Sequence, residues 1–141
     1  MTYLLEPSYE LGFRFRKILV PIDGSESSLK ALDLSVDLAK RYGSRITVIH
    51  VRIAGTNAGG DVLAKARRRV ENKGLPVSFK EIEIDYTSSS ISKAILDEII
   101  DGGYDLVILG ARGMTVSEEL NIGSIATSVA LNAPTTVIIV R

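Results

Sequence analysis

From Gly110 to Ser124 the chain reads GARGMTVSEELNIGS, directly after the apolar run DLVILG. Glycines in a connection can be plain turn devices, because they reach backbone angles that other residues adopt only at a cost. Gly110, Gly113 and Gly123 could also let backbone N–H groups close on an anion. Ser124 and Ile125, where a helical pattern opens, would add amides, a hydroxyl and the positive end of a helix. The chemistry such a stretch could do is phosphate binding. It is neither a Walker loop, since no Gly-Lys-Ser/Thr occurs, nor a G-x-G-x-x-G dinucleotide fingerprint. On the motif alone, connection and phosphate cradle both stay open.

Other candidates for chemistry are few. His50 is the sole histidine and falls within an apolar strand pattern, which predicts a hydrogen-bonded core imidazole and no Ser-His-Asp triad. The absence of cysteine removes disulfides, thiol nucleophiles and thiolate metal sites, and is compatible with a reducing cytoplasm. Lys65, Arg67, Arg68, Arg69 and Lys73 read as a solvated helix face that could dock an acidic partner. With 17 basic and 17 acidic side chains, nothing global draws the chain to nucleic acid or anionic lipid. No segment reaches the roughly 18 apolar residues of a membrane span, and the start, MTYLLEPSYELG, lacks the basic region of a leader. The expectation is a soluble, cytoplasmic protein of one domain, 17–141, behind an extension, 1–16, that holds Tyr3, Tyr9, Phe13 and Phe15.

Strand-like runs alternate with helical periods in the elements that must position the glycine stretch. KILVPI (Lys17 to Ile22) is a strand; Ser25 can cap the next helix, with Glu26 in its first turn and Leu29, Leu32, Val36 and Ala39 on one face. RITVIHV (Arg45 to Val51) is the second strand, and a basic helix follows from about Val62 to Lys73. VSFKEIEI is a third, more polar strand. Ile91, Ile95 and Ile99 mark a helix that Gly102 and Gly103 stop. DLVILG is the fourth strand, Ile125 to Leu131 a helix ended by Asn132 and Pro134, and TTVIIV the fifth strand.

Strict alternation predicts an α/β domain of three layers, a parallel sheet covered on both faces. The polar third strand suits an edge and the apolar first, second and fourth suit the interior, so the predicted order is 3-2-1-4-5. Between strands one and four the winding reverses, and ligands of open α/β sheets sit at the carboxyl end of such a switch point. Pro21, Ile22, Asp23 and Gly24 would there face Gly110 to Gly113. The fifth strand, apolar from Val137 to Val140, would lie at the other edge and needs cover, from a second copy of itself or from the aromatic extension.

ILVPIDGSE, ITVIHV, DLVILGARG and GSIATSVALNAPTTVIIVR together resemble the universal stress protein family over Lys17 to Arg141. The spacing G-x-x-G-x9-G-S resembles that family's ATP-binding branch. The resemblance implies an adenine nucleotide hydrolase-like, Rossmann-like fold and a ligand such as ATP, or AMP or ADP, with Mg2+. It implies that Asp23 lies near the adenosine and that Val51 packs on or hydrogen-bonds adenine through its backbone. Pro21 and Ile22 would form the floor, and Leu109 would line the nucleotide. Gly110, Gly113, Gly123, Ser124 and Ile125 would hold ribose and phosphates. It also implies a homodimer through the terminal strand, Thr136 to Val140.

Two departures from the family pattern stand out. The nine-residue loop carries Glu118 and Glu119 where the family often has lysine or arginine, and Arg112, just before it, is the basic side chain of the glycine stretch. Before the third helix the usual Gly-x-Pro turn is replaced by Asp85, Tyr86 and Thr87, followed by Ser88 to Ser90, which read as turn and helix-start chemistry. The resemblance implies a nucleotide-dependent regulatory module of the stress response, and the acidic loop implies no catalytic residue and at most slow ATP hydrolysis. Two alternatives remain at this point: a dimeric interaction protein that binds no nucleotide or only AMP-like ligands, and an ATP-using enzyme of the same fold group.

Overall fold

Strand and helix periods decide where each side chain goes, and the computed structural model describes residues 15–55, 61–85, 89–112 and 122–141. Five strands, β1 (Lys17–Pro21), β2 (Arg45–Ile53), β3 (Val77–Ile84), β4 (Leu106–Gly110) and β5 (Thr136–Val140), form one sheet in the order β3-β2-β1-β4-β5. Every pairing is parallel, as the sequence order 3-2-1-4-5 predicts.

Successive strand residues point to opposite faces, and the core divides accordingly. Ile18, Val20, Ile46, Val48, Leu106 and Ile108 meet helices α1 (Glu26–Tyr42) and α2 (Val62–Val70). Leu19, Ile49, Val107 and Leu109 meet α3 (Ile91–Gly102) and α4 (Ser124–Asn132) on the other side. Leu29, Leu32, Val36 and Ala39 of α1 are all buried, so the predicted stripe is the packed one. Complete burial of a side chain such as Leu32 contributes about 1.5–3 kcal/mol.

The predicted helix starts hold at α1 and α3. Ser25 and Ser90 stand in extended backbone, and their hydroxyls accept the amides of Ser28 and Lys93. Two boundaries differ. Helix α2 stops at Val70 rather than Lys73, because Glu71 turns to extended backbone at φ −63° and ψ 148° and Asn72 follows at a φ of 67°, both outside the helical region. Helix α4 starts at Ser124 with Gly123 as its N-cap and no side-chain cap, so Ser124 is the first helical residue.

The basic cluster is partly engaged within the domain. Arg69 grips both carboxylate oxygens of Asp33, at 2.9 and 2.7 Å, and the Arg67 guanidinium lies 4.3 Å from the centre of the Phe79 ring. Of the aromatic extension, Tyr3, Tyr9 and Phe13 lie outside the described residues. Phe15 packs against the α1 side of the core, its ring centre 5.4 Å from that of Tyr42.

Candidate functional site

The chain leaves β1 through a turn built by its own side chains. Ile22 still donates its N–H to the Ile49 carbonyl at 2.8 Å, which keeps β1 and β2 together past the strand end. The Asp23 carboxylate then accepts the Ser25 N–H at 2.9 Å, and Gly24 takes a φ of +87° that a side chain would strain. Ser25 caps α1, and the Ser28 hydroxyl returns to the Ser25 carbonyl at 2.9 Å. The local sequence thus starts a helix immediately beside the end of β4.

Gly110, at that end, has a packing role that its loop did not suggest. A Cβ there would stand 2.7 Å from the Ser27 carbonyl carbon and the Ser28 nitrogen. Its missing side chain lets α1 press directly on β4, and this close approach of backbone to backbone requires glycine at this position. Beyond it, Ala111 donates to the Val140 carbonyl at 2.7 Å and accepts the Gly123 N–H at 2.6 Å. The Gly123 amide expected to hold an anion is therefore engaged by Ala111, in extended backbone at φ −72° and ψ 166°.

Between these segments, at the carboxyl end of β1 and β4, lies a cleft of about 490 Å³, a size that suits a small-molecule ligand. Ten of the eleven sequence-predicted positions line it: Pro21, Ile22, Asp23, Val51, Leu109, Gly110, Arg112, Gly123, Ser124 and Ile125. Gly113, like Glu118 and Glu119, lies outside the described residues. The lining is mostly apolar, with Asp23 and Arg112 as its fully charged types and the first turn of α4 along one side. Among the described residues no group of three or more His, Asp or Glu side chains is placed to hold a metal ion.

Sequence reasoning missed Ile91 and Ile95 of α3 and the small residues Ser28, Ala111 and Ala126 as lining. The i, i+4 spacing of Ile91 and Ile95 marks a core-facing stripe, and nothing in that period says that its first turn overhangs a cleft. His50 also lines the cleft and is buried, but it departs from the expected hydrogen-bonded imidazole. Its Nδ1 has no hydrogen-bond partner among the described residues, and the Glu81 carboxylate stands 3.7 Å away, beyond hydrogen-bond reach.

Known proteins share this fold. The family model described as "Universal stress protein family" matches residues 14–141. The chain belongs to the universal stress protein family. A universal stress protein of Bacillus subtilis is 30% identical over 90% of this chain and 99% of its own length. Among solved structures, a universal stress protein from Lactobacillus plantarum superposes with a TM-score of 0.77 at 23% identity, over 91% of this chain and 99% of that one. A universal stress protein in complex with cAMP gives 0.74 at 19% identity, over 91% of this chain and 98% of its own. One from Archaeoglobus fulgidus in complex with dAMP gives 0.72 at 18%, over 90% and 98%. At such identities these structures share the Rossmann-like fold with this universal stress protein.

Proposed function

We propose that this universal stress protein binds ATP in the switch-point cleft and acts as a nucleotide-dependent regulatory module of the stress response. The observation that carries the reading is the convergence of ten predicted residues, far apart in sequence, on one cleft of nucleotide size. Ile22, Val51 and Leu109 offer an apolar seat for the base, with Ile91 and Ile95 opposite. The free amides of a helix's first turn favour an anion, and the first turn of α4, Ser124 and Ile125, borders the same cleft. Mg2+ would arrive with the phosphates and keep most of its waters, since Asp23 is the one carboxylate among the described lining residues. Among the described lining residues Arg112 is the one cation, too little cationic stabilisation for fast phosphoryl transfer, so hydrolysis is at most slow.

A monophosphate is the second reading, and two observations favour it. The Gly123 amide is already bonded to Ala111, which leaves fewer donors for a triphosphate, and relatives of the same fold are known in complex with cAMP and dAMP. The proposed assembly is a cytoplasmic homodimer through Thr136 to Val140, without nucleic-acid or membrane partners.

Mass spectrometry of small molecules released from freshly purified, denatured protein tests the reading, together with calorimetric titration of ATP and AMP. ATP binding that falls about tenfold or more in Gly123→Val, a loss of about 1.4 kcal/mol or more, is the expected result. No released adenine compound and no heat with either nucleotide would overturn it in favour of an interaction protein.

A further inference from the structure

Two serines of the α1 start reach across the molecule instead of serving only their own helix. The Ser27 hydroxyl donates to the Arg112 carbonyl at 2.6 Å and accepts the Arg112 N–H at 3.4 Å. Ser25, while capping α1, also donates to the Arg112 carbonyl, at 3.3 Å. A serine in a first helical turn is ordinary helix-start chemistry. Here the cap is Ser25, and the Ser27 hydroxyl bonds a residue 85 positions away.

Gly110 makes that reach possible, since α1 packs against it without room for a Cβ. The consequence runs on through backbone groups. Arg112 follows Ala111, whose carbonyl holds the Gly123 N–H at 2.6 Å, and Gly123 is the N-cap of α4. A hydroxyl on α1 is thus connected, by way of Arg112 and Ala111, to the amides of Ser124 and Ile125 across the cleft.

We propose that Ser27 is a positioning residue of the cleft: it fixes Arg112, and through Ala111 and Gly123 it sets the distance between the α1 start and the first turn of α4, hence the fit of a ligand's phosphates. This rests on the nucleotide reading of the cleft. Ser27 need not touch the ligand. Its removal should affect the phosphate end and spare the base, which sits on Val51 and Leu109.

The test uses the full chain with Ser27→Ala and Ser27→Thr. Amide hydrogen exchange without ligand should quicken at Arg112 and Gly123 in Ser27→Ala by about five- to tenfold, the worth of one ordinary hydrogen bond. ATP affinity should fall by a similar factor of about five to ten and adenosine affinity by less than about twofold, with Ser27→Thr close to the parent. Unchanged exchange at both amides would overturn the tether. Equal losses for ATP and adenosine would show a general structural role and overturn the positioning. A parent that binds neither compound would sink the nucleotide reading, and quickened exchange would then still support the tether, which tells the two failures apart.

Discussion

The two edges of the sheet are built in opposite ways. Strand β3 alternates half-buried and exposed residues and carries Lys80, Glu81 and Glu83 outward. Arg52 on β2 bonds Glu81 at 2.7 Å and also Glu83, while Lys80 reaches Glu98 of α3 at 2.8 Å. Strand β5 has no charged residue, and Val137, Ile138, Ile139 and Val140 are all half-buried. Ile138 and Val140 lean on the α1 side of the core, Val137 and Ile139 on the α4 side. Charge on an edge repels further strands, whereas an apolar edge with one unpaired row of backbone groups invites one. The contrast fits β3 facing solvent and, in the proposed homodimer, β5 meeting a second copy of the chain.

The largest effect expected from this contrast is at Ile138. Ile138→Lys places a cation on the apolar edge and should halve the mass seen by light scattering, or leave a poorly folded chain if the edge cannot stand alone. Removing residues 1–14, which keeps Phe15 on Tyr42 and the Arg16 and Lys17 amides on Asp105, should leave the dimer intact. A monomeric parent, or a dimer lost only on that deletion, would break the comparison.

A smaller effect belongs to β3. Arg52→Ala removes both strand-crossing ion pairs, yet Glu81 and Glu83 are 36% and 54% exposed, so the cost in urea unfolding should stay within about 1 kcal/mol and shrink with added salt. The mass should not change. A loss of several kcal/mol would mean that this edge is held by its charges rather than merely guarded by them.

The smallest effect is a pH dependence. The Arg52 hydrogen bond, against the opposing cost of desolvation, holds the Glu81 carboxyl below the usual glutamate range. A depressed folded value contributes stability above the unfolded value of about 4.3 and loses it as the pH falls through the folded one. Glu81→Gln should therefore lower stability slightly near neutrality, where that contribution is fully present, and flatten the acid limb of the stability curve below about pH 4.3. An unaltered acid limb would sharpen the picture to charges that serve only to repel.

Most of the architecture was legible because its causes are local. Apolar runs of strand length named the strands, the 3.6 period of Leu29, Leu32, Val36 and Ala39 named the buried face of α1, and Ser25 and the run Ser88 to Ser90 marked helix starts, where Ser25 and Ser90 are the caps. The polarity of β3 was enough to send it to one edge, and the order 3-2-1-4-5 then left β5 at the other. The cleft was legible at one remove: the strand order placed the ends of β1 and β4 together, and the family resemblance pointed to the residues there.

The sequence by itself determined the alternation of elements, the faces they bury and the switch point between β1 and β4, since each follows from side-chain period and from the chirality of crossovers. Only the tertiary structure decided why Gly110 is glycine, where the Gly123 amide points its hydrogen, which hydroxyl holds Arg112, and that Ile91 and Ile95 overhang the cleft. Each of these is a contact between groups that no periodic pattern relates: the Ser27 and Arg112 partners stand 85 residues apart. Their meeting depends on how closely α1 settles on β4, a distance set by packing volume and not by any local preference of the chain.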